Sequence, residues 1–296
     1  MARGRGGASG DWLLAAVPAL FVLLWSTGFI GAKLGVPYAS PLLFLAVRFA
    51  VTALLLFAWV ALRGEVWPRG WRLYADLAVV GTLLHTIYLG GVFVAISWGL
   101  EAGTSALIVS LQPVLVAALA GAFLGERVTR LQWLGLVLGM AGVALVVWRK
   151  AGLSAQGLDA ALLCLLSLCA ITGAILYQKR RLGAMPPISG NAMQFAFAAV
   201  SCTVAVLLFE PDAYIVWSTS FVIALAWLVL ALSIGAVGLF LLMVRRGAAS
   251  KVSSLFFLVP PCTAVIAWAF FGEVLGWVEL LGMAIAGLGV ALVNRR

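Results

Sequence analysis

Charged residues are scarce in this chain of 296 residues. Only 10% of the residues are charged, 65% are hydrophobic, and the mean hydropathy is +1.16. Soluble domains carry about 25% charged and about 45–50% apolar residues. The composition therefore excludes a soluble globular domain and predicts a polytopic membrane protein.

Residue types that bind metals or perform catalysis are also few. His85 is the only histidine, and the four cysteines, Cys164, Cys169, Cys202 and Cys262, form no Cys-x-x-Cys pair. The sequence therefore supports no metal site, no disulfide framework and no cofactor. It has no P-loop lysine motif, so nothing supports ATP-driven pumping. An enzyme is not predicted, because His85 has no membrane-embedded acid or second histidine to complete a catalytic set.

Apolar segments follow one another along the whole chain. A spanning helix needs roughly 20 mostly apolar residues, and ten segments suit that length. These segments are Trp12–Leu34, Leu42–Leu62, Tyr74–Trp98, Thr104–Leu124, Leu131–Trp148, Leu158–Gln178, Ile188–Phe209, Phe221–Val244, Val252–Phe271 and Trp277–Val293. The first segment resembles a signal peptide, but its apolar run is long for one, which predicts a retained helix.

The basic residues behind the net charge of +9 lie between the apolar segments. No basic run exceeds three residues, so nucleic acid is not a predicted partner. With the N-terminus in the cytoplasm, the far side holds only three basic residues, Lys33, Arg149 and Lys150, and Arg48 lies inside the membrane. The positive-inside rule therefore places both termini in the cytoplasm.

The chain contains one stretch twice. Residues 91–149 match residues 238–296 without a gap at a shift of 147 positions, which indicates internal duplication. The matched positions include Pro113 with Pro260 and the Gly-Glu pairs at 125–126 and 272–273. Fainter matches in the early spans pair Thr27-Gly28 with Thr172-Gly173, Pro41 with Pro187, and Arg48 with Gln194.

Each copy belongs to a half of five spans, 1–150 and 151–296. Because five is odd, the second half must lie upside down relative to the first. Inverted repeats of this kind are typical of secondary transporters, which work by alternating access.

The motifs resemble those of the drug/metabolite transporter superfamily. They are Trp25-Ser26-Thr27-Gly28-Phe29, Arg48, Ala106–Pro113, the two Gly-Glu pairs and the Gly-rich fifth and tenth spans. From end to end the chain resembles the ten-helix EamA-type exporters, and the YddG-type amino-acid exporters are the members to compare first.

The resemblance implies an all-α integral membrane protein of the bacterial inner membrane. Its ten transmembrane helices would form two inverted five-helix repeats around a central cavity. Spans 1–4 and 6–9 would surround that cavity, with spans 5 and 10 outside it. Export as the direction of transport rests on this resemblance alone.

Polar residues inside a membrane usually face a cavity or a partner. Arg48 can hold a substrate carboxylate, or it can tie helix ends together. His85 and Tyr88 share one face of span 3 and can handle protons or hydrogen bonds on the cavity wall; the alternative is a histidine satisfied by a neighbouring helix. Asn191 and Gln194 share a face of span 7, as cavity lining or as interhelical contacts.

Other candidates lie at helix interruptions and helix ends. Gln112-Pro113 in span 4 and Pro260-Pro261 in span 9 occupy matched positions, with Pro113 aligned to Pro260, which points to a hinge at the substrate site or to kinks for packing. Trp25 can form an aromatic wall or pack in an ordinary way. Glu126 and Glu273 precede the next span, where an acid favours the helix dipole; a gate contact is the alternative. Gly121-x-x-x-Gly125 and Gly135-x-x-x-Gly139 predict close packing or a dimer surface.

The placement of the acids favours one substrate class over others. Every carboxylate lies near a helix end or in a loop, and Leu20–Gly31 lacks the glutamate by which small multidrug members of the superfamily bind cations. No basic cluster lines the spans, which argues against sugar phosphates. The leading hypothesis is export of neutral or aromatic amino acids and related metabolites, and lipophilic drug efflux is the runner-up. A passive channel, proton coupling, and a monomer or homodimer remain open.

Overall fold

The computed structural model describes residues 8–124, 129–151, 155–183, 185–239, 243, 255–273 and 276–293. In these residues the chain forms ten helical spans at the ten predicted positions. They are α1 (Ala8–Gly35), α2 (Pro41–Arg63), α3 (Trp71–Ser97), α4 (Ala102–Val109 and Gln112–Leu124), α5 (Arg130–Ala151), α6 (Ala155–Arg181), α7 (Pro187–Phe209), α8 (Thr219–Leu239), α9 (Val259–Phe271 after a 3₁₀ turn, Phe256–Leu258) and α10 (Trp277–Val293).

By length and composition, seven of these spans can cross a membrane, and α5, α9 and α10 contain shorter apolar helices in the described residues. Proline stands at the first position of α2 and of α7, where its missing N–H costs nothing. Gly64 and Gly272 end α2 and α9 with φ angles of 62° and 66°, which glycine adopts readily. The predicted ten-helix, all-α membrane architecture is confirmed.

Two spans are interrupted at matched positions. The helix of α4 stops at Val109 and restarts at Gln112, and a 3₁₀ turn at Phe256–Leu258 precedes the α-helix of α9. Leu111 in the first interruption corresponds to Leu258 in the second at the shift of 147. Prolines follow both breaks, because a proline cannot donate the hydrogen bond that would continue the helix.

Two other spans carry wide turns that the sequence patterns do not predict. Thr82–Ile87 in α3 and Leu228–Ala236 in α8 are π-helical. At the shift of 147, residues 82–87 correspond to residues 229–234, so the wide turns also lie at matched positions. Such turns inside α-helices are frequent at functional sites.

Spans of the first predicted half pack against spans of the second. The α1 span packs against α8 and α9, and α6 packs in the matching way against α3 and α4. The pairs α2–α7, α4–α9 and α5–α10 join equivalent spans across the halves. Contacts between the halves therefore recur when the halves are exchanged, as expected for a duplicated chain.

Glycines bring the backbones of α5 and α10 close together. A Cβ on Gly142 would lie 2.5 Å from the Gly282 carbonyl oxygen, and one on Gly289 would lie 2.5 Å from the Gly135 carbonyl oxygen. Because Gly135 corresponds to Gly282 and Gly142 to Gly289, the two contacts are the same contact with the halves exchanged. The pairing also shows that α5 and α10 run antiparallel. These glycines serve packing inside the chain.

Polar contacts join the connections at each end of the bundle. At the first end, called the Glu273 end, the α1–α2 connection bonds to the α7–α8 connection, and Glu210 accepts hydrogen bonds from the first backbone N–H groups of α2, those of Leu42 and Leu43. At the Asp76 end, Ser189 donates to the Val66 carbonyl, and Asp76 accepts from the Tyr177 hydroxyl.

Candidate functional site

Arg48 is the charged residue farthest from a helix end among the buried ones described. It lies two turns inside α2 and is 3% exposed. Its Nε and Nη2 atoms donate to the Ser233 hydroxyl oxygen at 3.3 and 3.1 Å, and Nη1 has no hydrogen-bond partner in the described part of the chain. The guanidinium carbon lies 5.6 Å from the centre of the Phe49 ring. Ser233 therefore holds one edge of the guanidinium group, and Nη1 is left available to bind a ligand.

Ser233 connects this charge to the other half of the protein. It lies in the wide turn of α8, where its hydroxyl donates to the Leu228 carbonyl at 3.1 Å. A serine hydroxyl has one donor and two acceptor positions, so these three bonds use all of its capacity. Ser233 thereby fixes the orientation of Arg48.

His85 lies in the other wide turn, in α3. Its ring stacks on Phe195 of α7 with ring centres 4.4 Å apart, and Phe49 of α2 lies 5.4 Å away. The imidazole is 8% exposed, and neither ring nitrogen has a hydrogen-bond partner among the described residues. Aromatic packing therefore positions the ring and leaves its polar atoms available.

Tyr88 is buried one turn after His85. Arg48 precedes Phe49 in the sequence, and the Phe49 ring lies close to both the Arg48 guanidinium and the His85 ring. The structure thus brings together three of the predicted site residues. We call the following set the Arg48 cluster: Arg48, Phe49, His85, Tyr88, Phe195 and Ser233.

The predicted amides of α7 border this cluster without bonding to it. Gln194 is buried next to Phe195 in sequence, and its backbone lies against Gly81 of α3. Its side-chain nitrogen lies 3.7 Å from the Met185 sulfur. Asn191 is half-buried one turn earlier, and no hydrogen bond between described residues joins it to Arg48.

Trp25 makes its ring contacts with residues outside the Arg48 cluster. Its ring packs against Phe21 and Phe256, with centres 5.4 and 5.2 Å away. The neighbouring Ser26 hydroxyl bonds to the Val259 carbonyl, and Thr263 donates to the Ser26 carbonyl. Trp25 therefore joins α1 to the start of α9.

The residues at the two helix breaks differ in burial. Gln112 and Pro113 are half-buried, Pro260 is buried and Pro261 is exposed. Pro260 follows Val259, which Ser26 contacts, so the break in α9 is next to the Trp25 aromatic group. A hinge at these prolines stays a prediction.

Glu273 binds across the halves at the end of α9. Its carboxylate accepts hydrogen bonds from the N–H groups of Ala102 and Gly103, at 3.1 and 3.5 Å, and pairs with Lys33 of α1. Glu273 therefore stabilises the N-terminus of α4. The sequence predicted that it would instead stabilise the N-terminus of the next span, α10. Glu126 and Gly125 lie outside the described residues.

Sequence reasoning did not select three residues of the cluster, which are Ser233, Phe49 and Phe195. Ser233 had a usable signal, because it is the only hydroxyl-bearing residue between Phe221 and Val244. The two phenylalanines had none, since phenylalanine is common in apolar spans.

Comparisons with known proteins also show the duplication of the chain. The EamA-like transporter family matches residues 12–148 and again residues 159–295. The uncharacterized transporter YvbV of Bacillus subtilis strain 168 is 29% identical, with 95% of this chain and 92% of YvbV covered. The uncharacterized inner membrane transporter YedA of Escherichia coli K12 is 26% identical, with 95% and 90% covered.

Two further similarities concern a named substrate and the fold. A "probable terminal-alkyne amino-acid exporter" of Streptantibioticus cattleyicolor is 31% identical over 69% of this chain and 68% of its own length. A solved crystal structure aligns with a TM-score of 0.65 at 20% identity, covering 96% of each chain. The similarity to the crystal structure shows a shared fold. The EamA-like family and the named relatives are transporters rather than enzymes.

Proposed function

Because this chain belongs to the EamA-like transporter family, we propose that it is a secondary transporter that exports neutral or aromatic amino acids and related small metabolites across the bacterial inner membrane. The observation that carries the proposal is the Arg48 cluster. Within the described residues it offers a guanidinium nitrogen and an imidazole that have no hydrogen-bond partners, beside three aromatic rings. A carboxylate with an apolar side chain matches those two kinds of surface.

The names of two relatives support the same assignment. YedA is described as an inner membrane transporter, and the Streptantibioticus relative as an amino-acid exporter. Lipophilic drug efflux is the alternative, which the aromatic group of Trp25, Phe21 and Phe256 favours.

For the mechanism we propose alternating access by two inverted halves, residues 1–150 and 151–296, around a shared cavity. The contacts at the two ends support inversion. The first connection of the first half, α1–α2, is bonded at the Glu273 end, and the first connection of the second half, α6–α7, leads into Ser189 at the Asp76 end. The basic residues around the Asp76 end support a cytoplasmic location for it.

A gate at the Glu273 end follows from this mechanism. Lys33 and the N-terminus of α4 belong to the first half and Glu273 to the second, so their contacts must break when this end opens. A disulfide between Lys33→Cys and Glu273→Cys is expected to stop transport, and reduction to restore it, with each single variant as control. Unchanged transport by the cross-linked protein would exclude the gate.

Flux measurements in proteoliposomes test the function itself. Purified protein is expected to exchange labelled phenylalanine or leucine faster when unlabelled amino acid is on the opposite side, as a carrier does and a pore does not. The same panel with and without a pH gradient tests proton coupling. Saturable flux of an organic cation, with none for any amino acid, would reverse the assignment in favour of drug efflux.

A further inference from the structure

The Arg48 cluster carries positive charge and no acid. Among the described residues the buried carboxylates are Glu273 and Glu279, at the end of α9 and in the first turn of α10. Glu126 follows the end of α4 in the sequence, and the other acids lie at helix ends or in connections. Every carboxylate among the described residues therefore lies in a connection or within two turns of a helix end, and none belongs to the Arg48 cluster.

A guanidinium buried without an anion is costly, because burial removes its hydration and a neutral hydroxyl and an aromatic ring replace only part of it. The Ser233 hydroxyl is neutral and holds only Nε and Nη2. The unpaired Nη1 and the imidazole of His85 are hydrogen-bonding groups suited to an anionic oxygen pair. A bound carboxylate supplies the missing negative charge and also bonds to Nη1.

The ammonium group of an amino acid finds no equivalent partner in this cluster. Its neighbours there are the guanidinium, which repels it, and neutral side chains, which offer lone pairs and ring faces but no carboxylate to form an ion pair. Binding energy from the cluster therefore comes from the carboxylate and the side chain.

This inference rests on the proposed function. We infer that the site recognises a monocarboxylate with an apolar or aromatic side chain and does not recognise the α-ammonium group. Hydroxy acids and N-acylated amino acids are then substrates of the same class as amino acids. Amines and amino-acid amides, which lack the carboxylate, are excluded.

A matched ligand series tests this inference on the purified, full-length protein. The series consists of L-phenylalanine, 3-phenyllactate, N-acetyl-L-phenylalanine, L-phenylalaninamide and phenethylamine, each measured by binding calorimetry and by flux in proteoliposomes. We expect 3-phenyllactate and N-acetyl-L-phenylalanine to bind within about threefold of L-phenylalanine. The two ligands without a carboxylate are expected to bind at least about tenfold more weakly, because a charge-assisted contact is lost.

The variant Arg48→Gln is expected to lose the preference for L-phenylalanine over L-phenylalaninamide. Thr203→Ala is the control, since Thr203 is exposed on α7 and bonds only to the Ala199 carbonyl; it should behave as the wild type. If Arg48→Gln does not fold, the wild-type ligand series alone decides.

The outcomes separate the two proposals. If L-phenylalanine binds and is transported while 3-phenyllactate and N-acetyl-L-phenylalanine are not, the site recognises the ammonium group. That result would overturn this inference and leave the proposal of amino-acid export standing. If the carboxylates neither bind nor move, both proposals fail. Equal binding of phenethylamine and 3-phenyllactate would overturn the role of Arg48 in selection.

Discussion

A single hydroxyl group orients Arg48, which is buried two turns inside α2. Ser233 accepts two hydrogen bonds from Arg48 and comes from a different half of the chain. Phe49 and Phe195 fix the orientation of His85 by packing on its ring. These three residues decide where the two unpaired polar groups point, so affinity for a carboxylate should depend on them.

Replacing Ser233 by Ala should therefore weaken substrate binding more than it weakens folding. A hydrogen bond to a charged group contributes about 1.5–3 kcal/mol, so the half-saturation concentration should rise about tenfold or more, with little change in maximal rate. Flux against substrate concentration measures both. Ser233→Thr should restore part of the affinity, and Ser97→Ala, an exposed serine bonded only to the Val94 carbonyl, should change neither quantity. An unchanged half-saturation value would show that Arg48 does not need Ser233.

At the scale of helices, the irregular turns come in pairs. The wide turns of α3 and α8 hold His85 and Ser233, and the breaks of α4 and α9 lie at Leu111 and Leu258. Irregular backbone inside a membrane protein is tolerated where it faces protein or a water-filled path, since lipid cannot satisfy its polar groups. The paired positions support a substrate path between these four spans.

The variant Pro113→Ala tests a hinge in α4. An alanine N–H can bond to the Val109 carbonyl and continue the helix through the break. If the break bends during transport, the maximal flux should fall severalfold while the half-saturation concentration stays within about twofold, in keeping with a conformational step. Pro18→Ala is the control, because Pro18 lies inside the unbroken α1. Equal flux for Pro113→Ala and the wild type would leave packing as the role of this proline.

Close packing of α5 on α10 should make Gly142 intolerant of a side chain. A Cβ there would lie 2.5 Å from the Gly282 oxygen and 2.6 Å from the Ala286 nitrogen, both backbone atoms that cannot rotate away. Gly142→Ala should cost about 1–3 kcal/mol of stability through overpacking, seen as a lower melting temperature in detergent. Gly287→Ala is the matched control, since a Cβ at Gly287 has no neighbour within 4 Å. A melting temperature equal to that of the control would argue against this interface.

At the scale of the whole molecule, the contacts at the two ends predict which connections share a side of the membrane. The α2–α3 and α6–α7 connections meet at the Asp76 end, and the α1–α2 and α7–α8 connections meet at the Glu273 end. With the basic residues at the Asp76 end, that end should face the cytoplasm.

Cysteine labelling in intact cells measures this sidedness. Glu65→Cys and Gly183→Cys should be protected from an impermeant reagent until the membrane is opened, whereas Pro37→Cys and Asp212→Cys should react at once. A background variant without the four native cysteines provides the control. Labelling of Gly183→Cys and Pro37→Cys from one side would contradict the inverted arrangement.

The amino-acid sequence by itself determined the membrane class, the ten spans and the duplication. Hydropathy sums over neighbouring residues, and a repeat can be read by comparing the chain with itself, so neither needs a fold. The sequence also selected Arg48, His85 and Tyr88, because a polar residue in an apolar span is conspicuous.

Only the tertiary structure decided which of these residues meet. Arg48 bonds to a serine 185 positions away, His85 lies between phenylalanines of two other spans, and Trp25 packs with α9 instead of joining them. The wide turns of α3 and α8 likewise leave no periodic signal. The physical reason is that a helix can turn any face toward its neighbours, and the choice depends on packing summed over all the spans it contacts.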